Sequence, residues 1–286
     1  MNRLMTAAVL AFAVFLASCS SNQRDPGGLP DGELSNKDVV RKVIKDGLGR
    51  GDLDVIREYV AEDYIQHNPN AADGRQGLID YLNNRDTSKK VEYISRRLFQ
   101  EGEYVWAHSE LVGDGVRTAV MDLWRVKEGQ LVEHWDAMQP QPEKTASGRS
   151  MLDGPTDIGD RHKRDANKKL VREFVEAVLV RRDLDRINDY IEGDYYHQHN
   201  PGAPDGPEAL RSFLQGMKDS GLKFSYEIKR VVAEGNFVLV QALGNADGQP
   251  LAIYDLFRCE NGKVAEHWDV IQPIPESTRS GHGMVD

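Results

Sequence analysis

One eight-residue run occurs twice in the sequence and constrains the fold more than any other feature. Residues 133–140 read Glu-His-Trp-Asp-Ala-Met-Gln-Pro, and residues 266–273 read Glu-His-Trp-Asp-Val-Ile-Gln-Pro. Both runs are strand-like, and successive side chains of a β-strand point to opposite faces of a sheet. In each run the histidine and the aspartate should therefore share one face, with the tryptophan on the other.

The duplication extends over most of the chain. Residues 36–44 align with 167–175, residues 66–69 with 198–201, and residues 122–125 with 255–258, at offsets of 131, 132 and 133. A period this long predicts tandem domains, because solenoid repeats run about 20–50 residues. Residues 147–153 and 280–286 also match each other, so we expect these two segments, tail 1 and tail 2, to pack at specific places in the domains.

The domain boundaries follow from this alignment. A chain of 286 residues is long enough for two domains. We predict a first domain at residues 35–154, a linker at 155–165 and a second domain at 166–286. Residues 19–34 are rich in proline, glycine and aspartate towards their end and have no apolar period, which predicts a flexible tether.

The N-terminal residues have a different composition. Arg3 precedes an apolar run at residues 7–17 that is too short to span a bilayer. The run ends in Leu-Ala-Ser-Cys at residues 16–19, which resembles the lipobox of bacterial lipoproteins. The resemblance implies removal of residues 1–18 as a signal peptide, acylation of Cys19 and anchoring in the cell envelope. Ser20 then favours the outer membrane, facing the periplasm. The alternative is an ordinary secretory signal in which the cysteine is coincidental.

The net charge of −10 restricts the partners of the chain. Nucleic acid and anionic membrane surfaces both require a basic patch, so neither is expected as the main partner.

Each copy places helices before strands. Val39, Val40, Val43 and Ile44 keep helical spacing behind a capping box of Ser35 and Asp38. A second helix begins at Asp52, and a third is predicted at residues 76–83. Strands are predicted at residues 91–99, 104–111, 117–126 and 131–139, separated by glycine-containing turns. Helices followed by an antiparallel meander indicate an α+β domain.

A curved sheet of this kind would enclose a cavity lined by one face of each strand. We expect an apolar and aromatic lining with few ionisable groups, as in most small-molecule sites. The predicted lining residues are His67, Trp106, Asp122, Trp124 and Met138 in the first copy and His199, Gln241, Asp255 and Phe257 in the second.

The order of elements, the Gln-His-Asn-Pro segments at 66–69 and 198–201, and the Glu-His-Trp-Asp strands together resemble the SnoaL-like polyketide cyclase family. That family has the nuclear-transport-factor-2-like fold, a cone of three helices packed in a curved, mixed and mostly antiparallel sheet. The similar branch is predicted to catalyse aldol-type condensation. The resemblance covers nearly all of both copies, but the fold also hosts cyclases, isomerases, dehydratases and non-catalytic binders.

The resemblance implies acid–base catalysis without a cofactor on a small carbonyl compound, by aldol condensation, cyclisation or isomerisation. Asp136 and Asp269 match the acid or base of the family, and His134 and His267 match its neighbour. His108 matches a further histidine, which Gln241 replaces in the second copy. The first domain is therefore expected to be the better candidate for catalysis.

Several alternatives stay open at this point. Asp136 and Asp269 would have a structural role if each paired with an arginine, and His67 and His199 would if they bonded the backbone at the cavity mouth. His67, His108, His134 and Asp136 could converge on a metal, but no metal-binding spacing is present and none is expected. The protein could also bind a small apolar ligand without catalysis, or the two domains could form an internal pseudo-dimer.

Overall fold

The computed structural model describes residues 34–85 and 91–286. The predicted signal peptide, the Cys19 lipidation site and the tether up to residue 33 lie outside the described residues. Within the described ranges, no helix is both long and apolar enough to cross a membrane.

Domain 1 begins with its helices, as predicted. The Ser35 hydroxyl accepts a hydrogen bond from the backbone N–H of Asp38, and the Asp52 carboxylate accepts one from that of Asp54, so both predicted caps are confirmed. These bonds satisfy backbone N–H groups that the first helical turn leaves unpaired. The helices are α1 (Asn36–Lys42), which continues as a π-helical segment (Val43–Gly49), α2 (Leu53–Tyr59) and α3 (Gly74–Asn83).

The sheet of domain 1 is mixed. Its strands lie in the order β1-β5-β4-β3-β2, with β1 parallel to β5 and every other pair antiparallel. The four meander strands were predicted, whereas β1 was not, because its buried ends flank exposed Glu62 and Asp63 and hide the alternation. The strands are β1 (Val60–Gln66), β2 (Val91–Glu101), β3 (Tyr104–Gly113), β4 (Val116–Lys127) and β5 (Gln130–Pro140).

Domain 2 repeats this architecture with a shorter parallel strand, and its sheet has the order β6-β10-β9-β8-β7. The predicted α+β fold of two tandem domains, each with helices on a mixed, mostly antiparallel sheet, is confirmed. The elements are α4 (Arg164–Phe174) with a π-helical continuation (Val175–Val180), α5 (Ile187–Tyr190), β6 (His197–Gln198), α6 (Pro207–Asp219), β7 (Phe224–Glu234), β8 (Phe237–Ala246), β9 (Gln249–Glu260) and β10 (Lys263–Pro273).

Each sheet has two buried faces. One face packs on the helices of its own domain and forms a separate apolar core in each domain. The other face packs on the opposite sheet in one cluster that contains Trp135 of domain 1 and Trp268 of domain 2. Burial of such large aromatic side chains contributes roughly 1.5–3 kcal/mol each.

Reciprocal hydrogen bonds join the two last strands. The Gln272 Oε1 atom accepts from the backbone N–H of Met138 at 2.8 Å, and the Gln139 Oε1 atom accepts from that of Ile271 at 2.8 Å. Both tails add apolar side chains to the cluster between the sheets, which explains why the duplication includes them. These side chains are Met151, Leu152, Met284 and Val285.

Candidate functional site

The pairing of β4 with β5 places four of the predicted residues on the helix-facing side of the sheet. Asp122 lies opposite Asp136, and Trp124 lies opposite His134. As predicted, His134 and Asp136 share a face, while Trp135 points away from them into the cluster between the sheets.

A cavity of about 330 Å³ lies between this face and the helices of domain 1. Its walls are mostly apolar and aromatic, and its polar groups come together where the end of β1 meets the middle of β4 and β5. Its lining includes Tyr64, Gln66, Asn68, Leu78, Tyr81, Val91, Tyr93, Asp122, Trp124, His134, Asp136 and Met138.

His134 is held between two hydrogen-bond acceptors. Its Nε2 atom lies 3.1 Å from Asp122 Oδ1, and its Nδ1 atom lies 3.0 Å from Gln66 Oε1. The backbone N–H of Asn68 also donates to Gln66 Oε1 at 2.9 Å, which identifies that atom as the amide oxygen. Both ring nitrogens therefore face acceptors, and this arrangement favours the imidazolium form.

The electrostatic surroundings agree with a protonated His134. Burial acts to lower the pKa of His134, but the hydrogen bond to Asp122 and the charges of Asp136 and Asp122 outweigh it and raise this pKa. Asp122 in turn accepts a short hydrogen bond from the Tyr93 hydroxyl at its other oxygen. Burial holds the pKa of Tyr93 well above its usual value, so that hydroxyl keeps its proton.

Asp136 differs from Asp122 because one of its oxygens has no partner. Its Oδ2 atom accepts from Asn68 Nδ2 at 2.6 Å, whereas Oδ1 has no hydrogen bond to any described residue. The residue is only 2% exposed. Burial raises the pKa of Asp136 to about 6, against the charge of His134, which lowers it. A buried carboxylate with a free oxygen and a pKa near neutrality is suited to proton transfer.

Tyr64 adds a hydrogen-bond donor to the same cavity. Burial and the charges of Asp136 and Asp122 raise the pKa of the Tyr64 hydroxyl well above its usual value, so this group keeps its proton. The O–H group of Tyr64, which lines the cavity, can therefore donate a hydrogen bond into it.

Domain 2 contains the same set of contacts. His267 Nε2 lies 2.9 Å from Asp255 Oδ1, and His267 Nδ1 lies 2.8 Å from the oxygen of Gln198. Asn200 donates a short hydrogen bond to Asp269 Oδ2, and Oδ1 of Asp269 has no partner among the described residues. Burial again raises the pKa of Asp269 to about 6.

The second cavity is smaller, at about 150 Å³. Phe174 and Phe224 stand in it where Val43 and Val91 stand in the first, and the larger rings fill part of the space. The two domains therefore share the same polar groups and differ in the volume of the cavity that contains them.

The expectation for His108 is corrected by the strand register. His108 lies opposite Met121, and its neighbour Ala107 lies opposite Asp122, so His108 points away from the cavity. Its Nδ1 atom lies 3.2 Å from Arg97 Nη1. Burial, together with the charge of Arg97, holds the pKa of His108 well below its usual value. The expected advantage of domain 1 for catalysis, which depended on His108, has no support in the geometry.

Four predicted lining residues lie outside the cavities for the same reason. Trp106 and Gln241 point to the face between the sheets, where Trp106 packs on Phe99 and Gln241 bonds the hydroxyl of Tyr254. His67 stacks on Trp135 at 4.9 Å and His199 on Trp268 at 4.7 Å, on that same side. The remaining predicted lining residues do line the cavities: Asp122, Trp124, Met138, Asp255 and Phe257.

Both histidines of the Gln-His-Asn-Pro segments bond backbone carbonyls, which was the structural alternative for them. His67 Nδ1 lies 2.6 Å from Gly283 O, and His199 Nδ1 lies 2.7 Å from Ser150 O. The residues that reach the cavity are their neighbours on either side, which sequence reasoning missed. Their duplication around each histidine was the available signal. The missed residues of this segment are Gln66, Asn68, Gln198 and Asn200, and the missed tyrosines are Tyr64, Tyr93, Tyr196 and Tyr226.

The same groups also form a candidate metal site. One ligand atom each from Asp122, His134 and Asp136 lies within 4.8 Å of the others, and the corresponding residues of domain 2 behave alike. A metal ligand needs an unprotonated ring nitrogen, and the raised pKa of His134 favours the protonated ring.

Comparisons with known proteins agree with this architecture. The family model of the SnoaL-like domain matches residues 40–134 and again residues 171–267. No curated protein matches the chain.

Three solved structures illustrate the likeness. Wild-type IdmH, a candidate polyketide cyclase from Streptomyces antibioticus, is 20% identical over 37% of this chain and 92% of its own, with a TM-score of 0.32. A candidate SnoaL-like polyketide cyclase from Jannaschia sp. CCS1 is 21% identical over 39% and 90%, with a TM-score of 0.33. An LEH-like epoxide hydrolase from M. tuberculosis is 20% identical over 38% and 85%, with a TM-score of 0.34.

The family model matches more than half of the chain, once in each domain. The protein therefore belongs to the SnoaL-like family and carries two SnoaL-like domains in tandem.

Proposed function

We propose that each domain catalyses cofactor-independent proton transfer on a small carbonyl compound. The observation that carries this proposal is the free Oδ1 atom of Asp136, and of Asp269, buried in an apolar cavity. A carboxylate in such a place is a general base near neutral pH, because desolvation raises its basicity.

Asp136 acts first as the base. With a pKa of about 6 it is mostly ionised at neutral pH, and its free oxygen removes the proton on the carbon next to the carbonyl. Asn68 holds the other oxygen, so the lone pairs of Oδ1 stay directed into the cavity. The positive charge of His134 nearby keeps the ionised form accessible.

The electron pair of the broken C–H bond moves onto the carbonyl oxygen and gives an enolate. Tyr64 is positioned to donate a hydrogen bond to that oxygen, and the apolar walls strengthen this interaction by excluding water. Return of the proton from Asp136 to another carbon completes an isomerisation. Attack of the enolate carbon on a second carbonyl, followed by protonation of the new alkoxide by Asp136, completes an aldol addition, which is a cyclisation when both carbonyls belong to one molecule. Loss of water from that product makes the reaction a condensation.

The test is exchange of α-hydrogens for deuterium in heavy water, followed by proton NMR on a panel of small linear and cyclic ketones. The Asp136→Asn and Asp269→Asn double variant should lose exchange by at least about 10²–10⁴-fold, the usual contribution of a positioned base. Each single variant should keep the activity of the other domain. Unchanged exchange in the double variant would contradict the mechanism.

A second candidate function is capture of a small apolar ligand without turnover, which the apolar lining of both cavities supports. It predicts a ligand retained in native mass spectrometry, with an affinity that Asp136→Asn leaves unchanged.

The location of the protein is a separate proposal. We propose that Cys19 is acylated and anchors the chain in the cell envelope at the outer membrane, facing the periplasm. The resemblance of residues 16–19 to a lipobox supports this. In a bacterial host, Cys19→Ser should move the protein from the membrane fraction to the soluble fraction, because two or more acyl chains provide the stable attachment. Equal membrane recovery of both forms would count against the anchor.

A further inference from the structure

We propose that each tail positions the polar residues in the cavity of the other domain. Tail 2 (residues 280–286) holds those of domain 1, here called site 1, and tail 1 (residues 147–153) holds those of domain 2, here called site 2. The inference rests on the proposed function for its kinetic consequences, whereas its structural test does not need a substrate.

Tail 2 and the residue just before it contact domain 1 at three points of one loop, residues 66–73, here called site loop 1. The backbone N–H of Arg279 donates to Pro69 O at 3.0 Å, and His67 Nδ1 lies 2.6 Å from Gly283 O. His282 Nε2 lies 2.8 Å from Asp73 Oδ2. All three contacts cross from the second domain to the first.

Site loop 1 carries two of the residues that build the site. His67 lies between Gln66, which bonds His134, and Asn68, which bonds Asp136. Its side chain points to the tail while those of its neighbours point into the cavity. Asp73 also accepts a hydrogen bond from the backbone N–H of Gln66 at 2.8 Å. Tail 2 therefore holds the loop at positions directly bonded or adjacent to Gln66 and Asn68.

The same arrangement occurs at site loop 2, residues 198–205, with the roles of the domains exchanged. Beside tail 1, the backbone N–H of Ala146 donates to Pro201 O at 2.9 Å. Within tail 1, Ser150 O lies 2.7 Å from His199 Nδ1, and Arg149 bonds Asp205 at 2.9 Å. The same crossing pattern therefore occurs in both directions between the two duplicated domains.

Each tail is also secured from both domains. Arg230 donates to Val285 O at 3.1 Å and to Asp286 O at 2.6 Å, and its guanidinium lies 4.1 Å from the ring centre of Trp135. Trp135 Nε1 of domain 1 donates to Asp286 O at 2.9 Å. Arg97 and Trp268 do the same for tail 1. The tryptophan of the repeated Glu-His-Trp-Asp run thus binds the tail, on the opposite face from the site.

Release of tail 2 should have a specific effect on Asp136. The hydrogen bond from Asn68 lowers the pKa of Asp136, so a loop free to move would let this pKa rise further. Deuterium exchange into a ketone at site 1 would then need a higher pH, whereas the pH profile of site 2 would stay the same. General destabilisation would not produce this separation between sites.

The structural test is amide hydrogen exchange followed by mass spectrometry on the full chain. Deleting residues 283–286 should raise exchange in residues 66–73 by about tenfold or more and leave residues 198–205 within about twofold. If the deletion fails to fold, Trp135→Phe removes the indole N–H bond to Asp286 and part of the buried ring, and it keeps an aromatic side chain beside His67. Trp268→Phe is its matched control and should loosen residues 198–205 instead.

For each variant, faster amide exchange in the site loop that the altered tail contacts supports the assignment. Faster amide exchange in the other site loop, or in neither, overturns it. The kinetic arm uses Trp135→Phe in the Asp269→Asn background, where only site 1 exchanges deuterium. An upward shift of its pH midpoint supports the positioning role, and an unshifted midpoint overturns it. Because amide exchange needs no ketone, a failure of Asp136 as a base would not be mistaken for a failure of the tail assignment.

Discussion

At the residue scale, the free oxygen of Asp136 carries both a chemical role and an energetic cost. Folding moves this carboxyl from water into an apolar cavity, which raises its pKa from about 3.9 in the unfolded chain to about 6. The folded state therefore binds the proton more tightly. This contribution to stability is complete below about pH 4 and is lost as the pH rises through about 6.

The first prediction concerns this cost. Asp136→Asn should increase the free energy of unfolding by about 1–3 kcal/mol at pH 8, because the rise of this pKa from about 3.9 to about 6 corresponds to roughly 3 kcal/mol. At pH 4 the same change should have an effect within about 0.5 kcal/mol. Urea unfolding at both pH values measures the difference. Asp54→Asn, at an exposed carboxylate of α2, is the control and should show no such gain. An equal effect of Asp136→Asn at both pH values would contradict the raised pKa.

A second residue-scale prediction concerns Tyr64. In the Asp269→Asn background, Tyr64→Phe should lower deuterium exchange by about 10²–10³-fold, as expected when one donor to a developing oxyanion is removed. Its pH midpoint should stay near 6, because Asp136 is still the base. Tyr81→Phe is the matched control, since domain 2 already has Phe213 at this place in its cavity wall. A rate equal to that of the control would exclude Tyr64 as the donor.

At the scale of elements, the alternation within a strand was predictable and the register between strands was not. The spacing of His134 and Asp136 on β5 was enough to place them on one face, with Trp135 on the other. The same reasoning cannot align β3 with β4, because a shift of one residue exchanges the two faces of a strand. His108 lies opposite Met121, not Asp122, and so points between the sheets.

The site loops show the same difficulty on a smaller scale. From the Gln-His-Asn-Pro segment, only His67 was predicted to line the cavity, with a backbone hydrogen bond at the cavity mouth as the alternative. Successive side chains of this segment point to opposite sides. His67 therefore points to tail 2, whereas Gln66 and Asn68 point into the cavity. Which of the two sets faced the site depended on the parallel pairing of β1 with β5, and β1 itself has no clear sequence pattern.

At the scale of the whole molecule, the duplication predicted two domains but not how their surfaces meet. The residues that meet between the sheets alternate with the site residues on the same strands, as Trp135 does with His134 and Asp136. A mutation on one face of such a strand can therefore shift the residues on its other face, because both sets belong to the same backbone.

We further propose that the two domains work as an internal pseudo-dimer, which the shared cluster and the reciprocal glutamine bonds support. The full chain should then unfold in one cooperative transition in urea. Trp268→Ala should destabilise both domains together by about 3–5 kcal/mol, the usual cost of removing a buried tryptophan. Two separate transitions, followed by the NMR signals of each domain, would contradict a single unit.

The most direct measurement of the central claim is the pH dependence of deuterium exchange into a ketone substrate. The wild-type rate should rise between roughly pH 4.5 and 8 with a midpoint near 6, because the base must be ionised to accept the proton. The Asp136→Asn and Asp269→Asn double variant should show no rise in this range. A wild-type rate that does not change across pH 6, or a double variant that keeps the same profile, would contradict the assignment of these two carboxylates as the bases.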